Sequence, residues 1–176
     1  MVRSLKIRKG IPSERWVSAK LWGKFVRSMP LACVDVIFED AKRGILYGLR
    51  EIGPYRGVWA LPGGRLLYRE SLLQAGRRVG LEYGLRFREL YLVGVFPISF
   101  PRRSDVSIAL AAVQVSGRAE ADGFEFSKFV WSRRIPPRLG LNYARMVAEW
   151  RRKRESREYL KLSIISARTP HKNGSV

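Results

Sequence analysis

Residues 59–85 read WALPGGRLLYRESLLQAGRRVGLEYGL, and no other stretch of the chain constrains its fold as much. A short apolar run stops at Pro62-Gly63-Gly64. That combination turns a chain, because proline presets one backbone angle and glycine accepts conformations that other residues resist. A loop follows, and then a helix from roughly Ser71 to Glu82 that carries carboxylates and arginines. The charges keep definite offsets: Glu70 stands six residues after Gly64, Arg78 eight after Glu70, and Glu82-Tyr83-Gly84-Leu85 closes the segment. A strand passed to a helix through one tight turn puts both element types in the same domain.

The rest of the chain continues that alternation. Pro12-Ser13-Glu14 opens a helix to about Arg27, with Ser13 as its cap. Strands are expected over Leu31 to Glu39, Gly44 to Arg50, Val58 to Leu61, Leu90 to Ile98, Val106 to Val115 and Phe126 to Trp131. A basic loop, Ser99 to Ser104, joins the fourth and fifth of these. A long helix starts near Leu141 and runs past Trp150 into Arg151-Arg152-Lys153-Arg154, and Thr169 to Val176 read as a disordered tail. Strands and helices mixed in this way pack as an α/β sandwich. At 176 residues the chain suits one domain. We expect it over 1–168, with a basic arm at 1–12 and a basic terminal helix over about 141–168.

That order resembles the Nudix box, G-x5-E-x7-R-E-U-x-E-E-x-G-U, where U is aliphatic. Gly64, Glu70 and Arg78 fall on the pattern with its spacing. Val79 stands where a carboxylate is usual. Counted on from Arg78, Glu82 takes the first of the paired glutamates and Tyr83 the second. Counted back from Gly84, Glu82 takes the second and Leu81 the first. Either way one carboxylate remains where three are usual. Magnesium wants oxygen ligands in near-octahedral geometry, so such a helix suits a single Mg²⁺ or Mn²⁺ and not a cluster. The resemblance implies a Nudix-type α/β/α sandwich with a mixed central sheet. It also implies a hydrolase acting on a nucleoside diphosphate linked to another moiety.

Within that superfamily the chain is most similar to the GDP-mannose mannosyl hydrolases, over about Phe25 to Trp150. The likeness runs through FVRSMPLACVDVIFED (Phe25 to Asp40) and GILYGLREIGPYRGVWALPGGR (Gly44 to Arg65), and returns at Asn142-Tyr143-Ala144-Arg145. It implies roles for particular residues. Asp35 would lie in the substrate site, and Arg50 and Arg65 would contact the diphosphate of a nucleotide sugar. Glu82, the backbone carbonyl of Gly63, and Glu125 in place of a metal-binding glutamine would hold the metal. Glu70 and Arg78 would pair to fix the box loop, which begins at Gly64, on its helix. The branch carries a histidine base where this chain has Phe126, and the one histidine here is His171. Glycosyl C–O cleavage therefore lacks its usual base, whereas P–O hydrolysis needs only a carboxylate base beside a metal-activated water.

Asp35 also stands out without the resemblance. It interrupts the apolar run Leu31 to Phe38, and a lone carboxylate among buried neighbours is costly unless it is paired or works at a site. Strand alternation would put Cys33, Asp35 and Ile37 on one face, which leaves solvent exposure as the competing reading. Arg50 and Arg65 compete with 23 other arginines for attention, since the chain has 25 arginines and 9 lysines. A guanidinium nevertheless suits a diphosphate by its bidentate geometry.

Charge separates the ends from the middle. Of a net +19, residues 1–27 contribute +7 and residues 133–176 contribute +9. Such blocks commonly mark nucleic-acid binding. They make a catalytically degenerate domain that binds RNA or a ribosome through its basic ends the rival to the hydrolase, with a homodimer interface as a third use. Only four amide side chains occur, a depletion seen in thermophiles. No apolar run is long enough to span a membrane, no secretory signal is visible, and the single cysteine, Cys33, sits in an apolar run as an inert thiol. A cytoplasmic protein is expected.

Overall fold

The computed structural model describes residues 18–53, 56–101 and 103–162. The arm at 1–12, the Ser13 cap and the tail at 169–176 lie outside them. The first described helix, α1 (Ala19–Ser28), is capped by Ser18, whose hydroxyl accepts from the amide of Leu21. A serine in extended conformation satisfies one of the orphan amides at a helix start, and Ser18 does so for this helix.

Strand β1 (Leu31–Asp40) is the spine of an eight-stranded sheet. It pairs antiparallel with β2 (Gly44–Arg50) and with β4 (Gly63–Arg65), and β2 also takes β3 (Trp59–Ala60). After the box helix α2 (Leu72–Glu82) come the short β5 (Leu85–Arg86), then β6 (Glu89–Phe100) and β7 (Arg103–Val113). Strand β7 runs parallel to β1, which makes the sheet mixed. The short β8 (Ser116–Gly117) pairs with β5 in a separate ribbon, and β9 (Phe126–Ser132) covers the other side of β2. The chain then enters α3 (Leu141–Ser156) and ends its described part in β10 (Leu160–Lys161), which pairs with β6.

The period-two alternation of β1 distributes the helices. Val34, Val36 and Phe38 are fully buried, with the Phe38 ring beneath Gly80 of α2 and tilted against Phe87. The opposite face carries Cys33, Asp35, Ile37 and Glu39. There the indole of Trp150 on α3 donates to Glu39 at 2.9 Å and stacks on Tyr91 of β6 at 5.8 Å. Arg65 is registered with Cys33 and stacks on Trp22 of α1 at 4.2 Å, so α1 and α3 share this face. The result is an α/β/α sandwich. Trp150 is only 1% exposed, and burying a side chain of its size contributes roughly 3 kcal/mol.

Three expectations are corrected. The basic loop at 99–104 is a tight hairpin instead. Pairing continues through Ser99↔Ser104 and Phe100↔Arg103, because Ser99 and Phe100 extend β6. The terminal helix stops at Ser156, well short of 168. Arg157 adopts a left-handed conformation (φ 57°), and its amide closes on the carbonyl of Lys153. Such a residue ends a helix because the next amide can no longer reach back along the axis. Finally, the short strands β4, β5, β8 and β10 have no counterpart among the expected strands. Each is two or three residues long and is held by its partner strand more than by any pattern of its own.

Candidate functional site

The site is assembled where β4 lies against β1. Register places Gly63 opposite Asp35 and Arg65 opposite Cys33. The approach at Gly63 is close: a Cβ there would sit 2.4 Å from Asp35 Oδ1 and 2.5 Å from the carbonyl oxygen of Val34. Only glycine lets the turn pack on that strand. Gly64 has no such neighbour, the nearest atom to a Cβ being Arg78 Nη1 at 3.7 Å.

Asp35 is buried and is not the exposed strand residue of the competing reading. The hydroxyl of Ser107 on β7 donates to its Oδ2. Burial pushes its carboxyl up to about 6, because a charge loses water solvation inside the protein, and nearby Glu125 and Asp105 push the same way. The Ser107 hydrogen bond and the charge of Arg50 oppose them without prevailing.

The box loop is fastened to α2 by one arginine. Arg78 donates to Glu70 Oε1 at 2.7 Å and to Oε2 at 2.9 Å, and its Nη2 also reaches the carbonyl of Arg65 at 2.9 Å. Glu70 Oε2 further accepts from the amide of Leu67 at 3.0 Å. Loop and helix thus share a bidentate, partly buried pair. The helix itself starts at a capping box, Ser71 accepting from the amide of Gln74 while the Gln74 side chain accepts from the amide of Ser71.

Beyond α2, three elements meet at Glu125. Arg50 closes β2 at a register shift and pairs with Glu125 Oε1 at 2.7 Å. Tyr83, just past the end of α2, places its hydroxyl 3.5 Å from Oε2. Asp122 fixes the turn that delivers Glu125, its Oδ1 accepting from the amides of Phe124, Glu125 and Phe126. Glu82 is the last residue of α2, and both its carboxylate oxygens are sealed from solvent. Among the described residues no three carboxylate, imidazole or thiol side chains converge to hold a metal. Of the expected metal donors Glu82, Glu125 and the Gly63 carbonyl, Glu125 is already engaged by Arg50.

The sequence reading does not single out Asp105 or Ser107, and Arg103 enters it only as part of the basic loop at 99–104. Asp105 is buried and takes Arg103 on its Oδ2 at 2.6 Å, while its Oδ1 and Arg103 Nε have no hydrogen-bond partner among the described residues. Asp105 and Ser107 alternate with apolar residues in β7, the same signal that marked Asp35 in β1. Cys33 lies between these carboxylates, and burial, with Asp105 and Asp35 adding to it, raises its thiol to about 12. A groove of about 270 Å³ lies elsewhere, lined by Arg77, Leu81, Leu85, Arg86 and Phe87, and includes none of these residues.

Comparison with known proteins places this geometry in a familiar frame. The structure is similar to a MutT Nudix hydrolase from Burkholderia pseudomallei, with a TM-score of 0.64 and 20% identity, covering 69% of this chain and 98% of that one. It is also similar to the ORF135 protein of E. coli, with a TM-score of 0.60 and 21% identity, over 74% of this chain and 96% of that one. The Nudix domain of Shewanella oneidensis NrtR, solved with ADP ribose, matches with a TM-score of 0.59 and 17% identity, over 78% of this chain and 99% of that one. The chain therefore has the Nudix fold, a mixed sheet between helices. In sequence it is 39% identical over 61 residues to the low-salt glycan biosynthesis protein Agl8 of Haloferax volcanii. That stretch spans 35% of this chain and 38% of that relative's length. No protein-family model matches.

Proposed function

We propose that this Nudix-fold domain is a metal-dependent hydrolase of a nucleoside diphosphate linked to another moiety, a nucleotide sugar by preference. The observation that carries the reading is the register of β4 on β1. It brings the Gly-Gly turn of the box against a buried carboxylate, Asp35, instead of leaving the turn in solvent. The relative named for glycan biosynthesis supports a sugar-linked substrate, and the ADP ribose held by the NrtR domain supports a diphosphate.

A bound Mg²⁺ or Mn²⁺ would offset the charge of the diphosphate. Glu82, Glu125 and the Gly63 carbonyl would hold it. Arg65 would grip phosphate oxygens, with the stack on Trp22 restricting its swing. Arg50 would exchange part of its contact with Glu125 for the substrate, a choice that ties its position to metal occupancy. Asp35, with its carboxyl near 6, is ionised at neutral pH and still basic enough to take a proton, which fits it for the base that the branch histidine would otherwise supply.

The test is product release from GDP-mannose and ADP-ribose with Mg²⁺ at elevated temperature, the parent compared with Glu82→Gln. Turnover that the substitution abolishes supports the reading. Sugar plus nucleoside diphosphate would mean C–O cleavage, and sugar phosphate plus nucleoside monophosphate P–O cleavage. Turnover equal in both proteins, or absent from both, overturns it for these substrates.

A further inference from the structure

The excess positive charge of the C-terminal half does not lie where the run Arg151-Arg152-Lys153-Arg154 suggests. Arg152 is paired with Glu149 and Glu158, Lys153 with Glu149, and Arg154 with Glu39. Three of the four charges are therefore paired with the protein's own carboxylates. Arg151 is the exception. Its Nη2 donates to the carbonyl of Arg133 at 2.9 Å, and Arg133 Nε donates to the carbonyl of Lys42 at 3.2 Å. These bonds orient the guanidinium groups without neutralising them, because a carbonyl accepts a hydrogen bond and carries no net charge. Arg134 follows in a turn closed by Ser132, whose hydroxyl donates to its carbonyl and accepts from its amide. Lys42, Arg133, Arg134 and Arg151 have no carboxylate partner among the described residues. They come from the β1–β2 turn, the end of β9 and the exposed side of α3.

We infer that these four residues form a binding site for the phosphate backbone of nucleic acid, read without regard to sequence. Their arrangement favours phosphates. Guanidinium forks held by backbone bonds have lost much of their freedom before binding, and they suit phosphate oxygens bidentately. A lipid surface fits less well, since a helix lying in the interface needs an exposed apolar face. The apolar side of α3 is spent on the core through Met146, Val147 and Trp150. Trp131 borders the patch, but Arg43 already covers it at 4.0 Å, so backbone charge and not base stacking is the main attraction. The patch is separate from the candidate catalytic site. It gathers where β1 and β2 join at Asp40↔Gly44, about 17 Å along the strand from Asp35.

Fluorescence anisotropy of a labelled mixed-sequence RNA 20-mer, measured with the full chain over a range of salt, tests this. The parent should bind, with a slope of log affinity against log salt steepened by about 3 through these four contacts. The combined variant Lys42→Ala/Arg133→Ala/Arg134→Ala/Arg151→Ala should lose that steepening and bind at least tenfold more weakly at low salt. Its unfolding temperature should stay close to the parent's. Arg77→Ala/Arg86→Ala/Arg88→Ala, on the α2 side, should bind within about twofold of the parent. The inference is overturned if RNA does not bind, if the patch variant binds like the parent, or if the α2-side variant weakens as much. Equal affinity for a polyglutamate peptide would also overturn it, in favour of an acidic protein partner. None of these outcomes depends on hydrolysis.

Discussion

Arg50 and Glu125, 75 residues apart in the chain, meet in a 2.7 Å ion pair with only 12% and 9% of their side chains exposed. The pair joins the end of β2 to the turn before β9, and Tyr83 brings the end of α2 to the same carboxylate. Each charge has given up most of its water, so each depends on the other.

Arg50→Ala should therefore destabilise the protein by about 3 kcal/mol, chiefly by leaving Glu125 buried without its counter-charge. Glu125→Gln added to that background should recover more than half of the loss. A double-mutant cycle by denaturant unfolding checks this. Additive losses would mean that the pair does not couple.

The two glycines of the turn should differ sharply. Gly63→Ala pushes a methyl into the carbonyl of Val34, a main-chain atom inside the sheet, and should cost more than about 2 kcal/mol. Gly64→Ala meets nothing closer than 3.7 Å and should cost under about 1 kcal/mol. Thermal unfolding of the two variants side by side decides it.

Asp35 should make stability fall as pH rises. Its carboxyl moves from 3.8 to about 6 on folding, so the folded state prefers the protonated form. Its contribution is complete below pH 3.8 and is lost as pH climbs through 6, a change of roughly 3 kcal/mol. Asp35→Asn keeps an acceptor for Ser107 and removes the titration. The variant should match the parent near pH 3.5 and exceed its stability at pH 8, as read by denaturant midpoints across that range. A constant difference would show that the carboxyl is not shifted.

Cys33 should be inert. With its thiol near 12, only about one molecule in ten thousand carries the thiolate at pH 8. Native protein should react with iodoacetamide at least a hundredfold more slowly than unfolded protein, measured by mass spectrometry. Equal rates would place the thiol in an open, unperturbed setting.

The elements with a strong local pattern were legible in the chain. Strand β2 is found at Gly44–Arg50, as expected, and α2 begins one residue after its Ser71 cap, because apolar periodicity and capping act within a few residues. The hairpin at 99–104 looks like a loop in the sequence, since proline and arginine are loop residues until β7 supplies the partner that extends β6. Asp105 carries the same alternation signal as Asp35, and the parallel pairing of β7 with β1 puts both on one face.

What the sequence determined by itself is therefore the kind of fold: a strand, a Gly-Gly turn and a charged helix at spacings that local stereochemistry enforces. Which charges are paired was decided by tertiary structure alone. Arg50 found Glu125, Arg78 found Glu70, and Arg154 found Glu39, while Arg151 and Arg133 found carbonyls and no carboxylate among the described residues. Local patterns cannot settle such outcomes, because an ion pair depends on distances of a few ångströms between residues that here stand 75 and 115 positions apart. Only the packed sheet sets those distances.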